Sequence, residues 1–540
     1  MSLFGLFDIG KSALFASQTA LSVTSHNIAN ANTPGFNRQE AILEITSPVA
    51  VKGGYLGRGV TIAGIKRYYD RFIQSQLLGQ YQNYGRSYAL NQALSQVEQI
   101  FNEAGDTGLS ASLTDYFNAW HDVATNPEGQ PQRIVLIEKA NTLVFTAKRM
   151  EQGILENLSQ TNENMDDIVD RVNSIASDIA ALNGKITQIE AGLKSEKAND
   201  LRDQRDNLLN ELSNLVEFTS YEDKNNGSLT VMVGMRNLVY GEKTNTLSIK
   251  VNEDGKNDLY LDGINITGNI TKGQLGGIIA VRDDIETNTL GRLRRLIASL
   301  TKEINILHSA GYGLDGTTGN NFFNPLQLST RDFSPGADIT ATIADISQLT
   351  LDEYNITFDA ASNYYVYNKQ TGALVTSGAY VSGNPITFDG IQVVITGAIT
   401  STDRFSISPL TDAIDNFGVA ITDPQKVAAA SSDADLPGDN SNALNIAQLP
   451  DNAITDLGSL TFMDYYRGIV SGIGSMSNAA SNSLKFDDNL LSEIENRRES
   501  ISGVSLDEEA ANLIRFQRSF EAGARMIKVT DELLQTILNL

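Results

Sequence analysis

The 540-residue chain carries 65 acidic and 41 basic residues, a net charge of −24, and no cysteine. Phosphate backbones need clustered cations and a membrane span needs about 18 apolar residues in a row, so nucleic acid and stable membrane insertion are both excluded. The missing cysteines remove disulfides, thiolate nucleophiles and Cys-ligated metals together.

Residues 4–30 read as one helix, ended by Asn32-Thr33-Pro34-Gly35, where the proline bars helical geometry and the glycine permits a turn. Phe7, Leu14, Leu21 and Ile28 stand seven apart on one face; Ile9, Ala16 and Val23 do so on another. A solvent-facing helix has one apolar face, so this one is expected to meet two neighbours. The first twenty residues lack the basic flank and cleavage pattern of a secretory signal, and the helix is expected to be retained. Residues 40–70 look extended and irregular. Their GGYLGRGV, 53–60, lacks the arrangement of a phosphate loop and reads as a turn or bulge.

Helix is expected again from about Tyr81. Over 154–193, Met165, Val172, Ile179, Ile186 and Leu193 alternate with Ile168, Ile175, Leu182 and Ile189 as a coiled-coil pattern. The beat breaks at 194–199 and restarts in a new phase at Leu201, Leu208 and Leu215, which predicts a helical hairpin. Strand signals begin at 221: Leu229, Val231 and Val233 alternate, with turns at Asn226-Gly227, Asp254-Gly255 and Asp262-Gly263. Helix returns over 280–309. From 313 to 410 Tyr365 and Tyr367 alternate, as do Ile391, Val393 and Ile395, so β structure is expected. Residues 430–460 read as a loop, 461–499 as helix and about 504–538 as a last helix. There Leu506, Leu513, Phe520, Ile527 and Leu534 repeat every seven residues.

The expected fold is multidomain α+β. The N- and C-terminal helices pair in a long coiled-coil-like bundle, with β-rich domains inserted mid-chain. The segments are an N-terminal assembly helix (1–40), a helical rod domain (41–220), a small β-rich segment (221–275), a helix (276–312), an inserted β domain (313–410), a return to the rod (411–500) and a C-terminal assembly helix (501–540).

No chemistry emerges. His26, His121 and His308 are far apart and fit no metal spacing, and no nucleophile elbow or EF-hand loop is present. Asp507, Glu508 and Glu509 are explained by the helix N-terminus they open. No catalytic, cofactor or metal site is expected. A glycan hydrolase using paired carboxylates and a secreted coiled-coil adhesin stand as alternatives of other classes.

The stretch NIANANTPGFNRQ, 27–39, resembles the N-terminal motif of bacterial flagellar rod, hook and hook-associated axial proteins. SGVSLDEEAANLIRFQRSFEAGARMIKVTDELLQTILNL, at the C-terminus, resembles their C-terminal motif. Arg38-Gln39 and LDEEAANLIRFQ, 506–517, are most similar to the hook-associated members. So are GGYLGRGV, FNAWHDVATNPEGQPQR (117–133), NDLRDQRDNLLNELS (199–213) and GQLGGIIAVRD (273–283). Phe36 stands where the family has tyrosine. The resemblance covers most of 1–310 and 461–540 and is weak over 313–410.

The resemblance implies a structural adaptor that forms a ring at the distal end of the hook and connects it to the filament. Hook protein or another axial protein is the alternative within the family. Implied partners are copies of itself, hook protein, the second junction protein (hook-associated protein 3) and a flagellar type III export chaperone. Export would be in unfolded form, without a cleaved signal peptide, to the extracellular flagellum. The assembly surface is expected on Phe7, Leu14, Leu21, Val23, Asn27, Ile28 and Asn30 of the first helix. Its counterpart on the last helix is Leu506, Leu513, Phe516, Phe520, Ile527 and Leu534, which the chaperone would also hold. Lone helices are marginal in water, so both tails are expected to order only on assembly.

Overall fold

The computed structural model describes residues 3–102, 108–191, 197–253, 255–334 and 336–539. Helix α1 (Leu3–Ala29) is followed by strands β1 (Gln39–Ile45), β2 (Val49–Val51), β3 (Gly54–Leu56) and β4 (Val60–Arg67). Helices α2 (Arg71–Ile100), α3 (Leu109–Thr125), α4 (Gln130–Glu190) and α5 (Asn199–Leu215) come next. Seven short strands follow: β5 (Thr219–Glu222), β6 (Leu229–Val233), β7 (Arg236–Tyr240), β8 (Lys243–Thr244), β9 (Leu247–Val251), β10 (Asn257–Leu261) and β11 (Ile264–Asn265). Helices α6 (Gly273–Asp284) and α7 (Gly291–Ala310) are joined by a π-helical turn. The later strands are β12 (Ser329–Asp332), β13 (Ala337–Ile343), β14 (Tyr354–Phe358), β15 (Asn363–Asn368), β16 (Leu374–Ala379), β17 (Pro385–Phe388), β18 (Ile391–Gly397) and β19 (Arg404–Ser408). Helices α8 (Ser441–Ala447), α9 (Phe462–Ser502) and α10 (Leu506–Leu538) close the chain. The α+β class, with terminal helices paired and β structure mid-chain, is the expected one.

Residues divide into two compact units, 1–90 with 163–279 and 481–540, and 91–162 with 280–480. In the first unit Met165, Val172, Ile175 and Ile179 of α4 are buried. Their stripe does not meet a coiled-coil partner alone. It packs on Leu209 and Leu212 of α5 and on inward residues of β6, β7, β9 and β10, among them Leu229, Val231, Val233 and Leu259. Two asparagines of α4 bind strand backbone. Asn183 donates to the Leu229 and Gly241 carbonyls and accepts from the Leu229 N–H, and Asn173 does the same with both groups of Leu247. Strand ends thereby find the partners that buried backbone groups require. The helical hairpin expected after α4 forms, because Arg202 of α5 bonds back to Glu190. Leu193 and the start of the break at 194–196 lie outside the described residues, as does Asp254 of one expected turn.

Residues 40–70 are more regular than the sequence suggests. Strands β1 and β4 pair antiparallel from Gln39↔Arg67 to Ile45↔Val60, and β2 and β3 carry the hairpin on to a tip at Lys52 and Gly53. GGYLGRGV is β3 and the turn into β4. Helix α2 starts ten residues before Tyr81, where the Asp70 carboxylate accepts from the Phe72 N–H and caps it. Its apolar period is weak, so the cap rather than the pattern marks its start.

In the second unit Tyr116 and Trp120 of α3 pack with Phe322, Phe323 and His308. His308 accepts from the Ala428 N–H, and burial lowers its pKa to about 4, so it is a neutral core residue. The β region is a five-stranded sheet, β12-β19-β14-β15-β16, and a three-stranded one, β13-β18-β17, around a shared core. Ile391, Val393 and Ile395, whose alternation predicts strand, lie in β18 and point inward. In β15, where strand was expected, Val366 is buried, while Tyr365 and Tyr367 are half-exposed and stack on each other. Stacked rings covering a sheet face give the same alternation as a buried pair. The expected loop over 430–460 contains the short helix α8.

Candidate assembly interface

Helices α1 and α10 run antiparallel and in contact: Gly10 meets Gly523 and Ile527, and Asn27 meets Glu509. The two backbones come close at the glycines. A Cβ on Gly10 would lie 3.0 Å from Ile527 Cγ1, and one on Gly523 would lie 3.3 Å from the Leu14 nitrogen. Small residues on α1, namely Gly10, Ala16, Ser17 and Ala20, permit this approach, and they are buried together with Val23 and Asn27.

The expected site residues divide accordingly. Val23 is buried beside Ala20 and Ala41, with Phe516 against them. Leu14, Leu21 and Ile28 of α1 and Leu513, Phe516, Phe520, Ile527 and Leu534 of α10 are half-buried. Phe7 and Leu506 are exposed. The face that α1 buries best is thus the one carrying Ala16 and Val23, because small side chains let a second helix approach. Asn30 bonds the His26 carbonyl and accepts from Thr33, which closes the end of α1.

Large apolar side chains remain open on both helices. Phe4 and Phe15 are exposed on α1. On α10 Met526, Val529, Leu533 and Ile537 form a stripe at helical spacing, all exposed, and Leu538 is 82% exposed. Only Glu509, Gly523 and Thr530 of α10 are buried.

A polar latch ties the other end of the pair to α5. The Asn27 side chain bonds both backbone groups of Gln39 and donates to Glu509. Arg38 bridges Glu509 and Glu508 at 2.8 Å each, and its backbone N–H donates to the Ser502 carbonyl. Burial works against the Arg38 charge, but Glu509 and Glu508 outweigh it and raise its pKa. Glu509, expected to serve only the helix N-terminus, is 2% exposed and anchors α10 to the loop after α1. Gln39 donates to Asp200 and accepts from Asn199.

Next to it, Asp203 accepts from the backbone and side chain of Asn37 and from Arg67, and Arg67 also pairs with Asp206 at 2.9 Å. Burial pushes both carboxyls upward while Arg67 draws them down. Gly35, at φ +75°, lies so close to Asn207 that a Cβ would stand 1.7 Å from its Oδ1. Glu190 closes the far end. Burial would raise its pKa, yet hydrogen bonds from Arg202, Lys197 and the Ala198 N–H lower it to about 2. Sequence reasoning followed Leu201, Leu208 and Leu215, which are half-buried, and missed that α5 buries Arg202, Asp203, Arg205 and Asp206. The signal was there: Arg-Asp pairs repeat at a spacing of three, on one helical face.

Four family models match in chain order. They are flagella basal body rod protein (residues 7–37), the flagellar hook-associated protein FlgK helical domain (94–323), the flagellar hook-associated protein 1 D2-like domain (328–409) and the flagellar basal body rod FlgEFG protein C-terminal region (497–540). The flagellar hook-associated protein 1 of Escherichia coli is 30% identical, over 99% of this chain and 99% of its own. The chain belongs to the flagellar hook-associated protein 1 family. The Bacillus subtilis member is 28% identical over 100% of this chain and 98% of its own. A solved structure, the flagellar hook junction protein FlgK from Burkholderia pseudomallei, shares the fold at a TM-score of 0.68 and 19% identity, covering 79% of this chain and 100% of that one. The family is one of flagellar structural proteins rather than enzymes, and membership places the chain on the flagellum.

Proposed function

We propose that this chain joins hook to filament as one subunit of a ring, held in place by the paired helices α1 and α10. As a member of its family it is a structural protein of the hook–filament junction. A match along the whole chain to hook-associated protein 1 relatives leaves the hydrolase and adhesin readings without support. The observation that carries the ring is the open apolar surface on both terminal helices. Leu533, Ile537, Phe4 and Phe15 are left in water by the chain's own fold, and apolar stripes of this kind are buried by partners. Neighbouring copies cover these faces; hook protein and hook-associated protein 3 meet the ring at its two ends.

Before assembly the same stripe needs shielding. A type III export chaperone holding 506–538 in a groove would supply it, for a chain exported unfolded and without a cleaved signal peptide. In the free chain both tails are unstructured, and they order as they enter the ring. Replacing Leu513 and Phe520 by serine tests the reading in a strain lacking the natural gene. The expected result under the electron microscope is hooks without filaments and flagellin shed to the medium. Full-length filaments on the double variant would refute the assembly role of α10.

A further inference from the structure

In a strongly acidic chain, the first unit carries a basic groove of about 500 Å³ between β4, the start of α5 and the turn after β5. At its floor Arg67 and Arg202 are already matched by Asp203, Asp206, Glu190 and Glu222. At its rim Lys66 and Lys224 are exposed and make no ion pair among the described residues. Arg71, 74% exposed, lies 3.8 Å from a Glu222 that other arginines share. Asp223, whose carboxylate accepts from the Asn225 N–H, also lines the groove, so the rim holds Lys66, Arg71 and Lys224 against one further carboxylate, an excess of cations.

The second unit shows the opposite. From residue 427 to 466 there are six aspartates and not one lysine or arginine. Within this stretch Asp439 is spent on shaping the loop, accepting from the Ser431 N–H and from both the N–H and hydroxyl of Ser441. Asp433 and Asp435 sit on a single 3-10 turn and are exposed.

We propose that the groove docks the Asp433–Asp435 turn of a second copy of this chain. Each copy then offers one basic socket and one acidic plug, a head-to-tail contact of the kind that repeats around a ring. The inference rests on the ring reading above and adds the surface that sets neighbour to neighbour. A single exposed ion pair contributes little. Three cations facing two carboxylates steer the encounter and fix its register, and the contact weakens as salt rises.

The absence of cysteine makes the test direct. Two tagged full-length chains, one Lys224→Cys and one Asp433→Cys, are co-produced in a strain lacking the natural gene, and flagella are oxidised after assembly. A cross-linked pair carrying both tags is expected. In parallel, Lys66→Glu with Arg71→Glu and Lys224→Glu should slow incorporation by at least about tenfold. Adding Asp433→Lys and Asp435→Lys to the same chain should restore it. Junctions that contain both tags yet yield no mixed cross-link, or a reversed socket that the reversed plug does not rescue, overturn the docking and leave the ring intact. Junctions that never contain both tags overturn the ring reading itself.

Discussion

Helices α4 and α10 carry apolar repeats of the same period, and the chain treats them differently. On α4, Met165, Val172, Ile175 and Ile179 are shut away against a sheet and a helix of the same unit. On α10, the stripe through Leu513 and Phe520 is half covered by α1, and a second stripe through Met526 and Leu533 is left open. One helix is stabilised from within the chain. The other keeps apolar surface that the chain itself does not cover. Periodicity reports that a helix has a partner; burial reports whether the chain supplies that partner itself.

The contrast can be broken with substitutions. The largest effect is expected from Ile179→Asp, which puts an unpaired charge in the α4 core. It should destabilise the isolated chain by more than about 4 kcal/mol, seen as loss of the cooperative thermal transition. The matching change on α10, Leu533→Asp, should leave that transition within about 0.5 kcal/mol of the parent while preventing incorporation into junctions.

Glu509→Ala comes next. It takes one of two carboxylates from Arg38 and one bond from Asn27, and losing hydrogen bonds to a buried charge costs about 1.5–3 kcal/mol. If, as proposed, the tails order only in the ring, the loss should appear as junctions that shed subunits, with the melting of the isolated chain unchanged. A third change, Gly523→Val, crowds the helix crossing at Leu14 and Gly10. Overpacking of about 1–3 kcal/mol should lower incorporation by roughly tenfold. Incorporation at the parent level would mean that α1 and α10 do not cross at the glycines.

The smallest effect concerns pH. Glu190 has a pKa of about 2 in the folded chain against an ordinary 4.5. A depressed acid stabilises the fold above its unfolded pKa, so its contribution is complete above about pH 4.5 and is lost as pH falls from there toward 2. Glu190→Gln should flatten that part of the stability–pH curve in chemical denaturation. An unchanged slope would show that Arg202 and Lys197 do not hold Glu190 in solution.

Much of this arrangement is legible in the chain itself. The heptads at either end place α1 and α10, and the alternation of Ile391, Val393 and Ile395 gives β18 its buried face. What the sequence hides is burial of charge. Glu509 has the composition of a helix-opening acid and the position of an anchor, since its worth depends on Arg38, 471 residues away. The Arg-Asp pairs of α5 repeat on one face, but burial of ions is rare unless each finds its partner, and those partners come from the loop after α1, from β4, from the end of α4 and from β5. Nor does the alternation of Tyr365 and Tyr367 say which face of β15 is buried, since an aromatic pair can cover a sheet's outer face as well as its inner one.

Hydrogen exchange measured on the isolated chain and on assembled junctions bears most directly on the central claim. In the isolated chain, amides of α1 and α10 should exchange at nearly unprotected rates while those of α4 between 163 and 190 stay protected; in junctions all three should be protected. Isolated chains in which α1 and α10 resist exchange as strongly as α4 would contradict it.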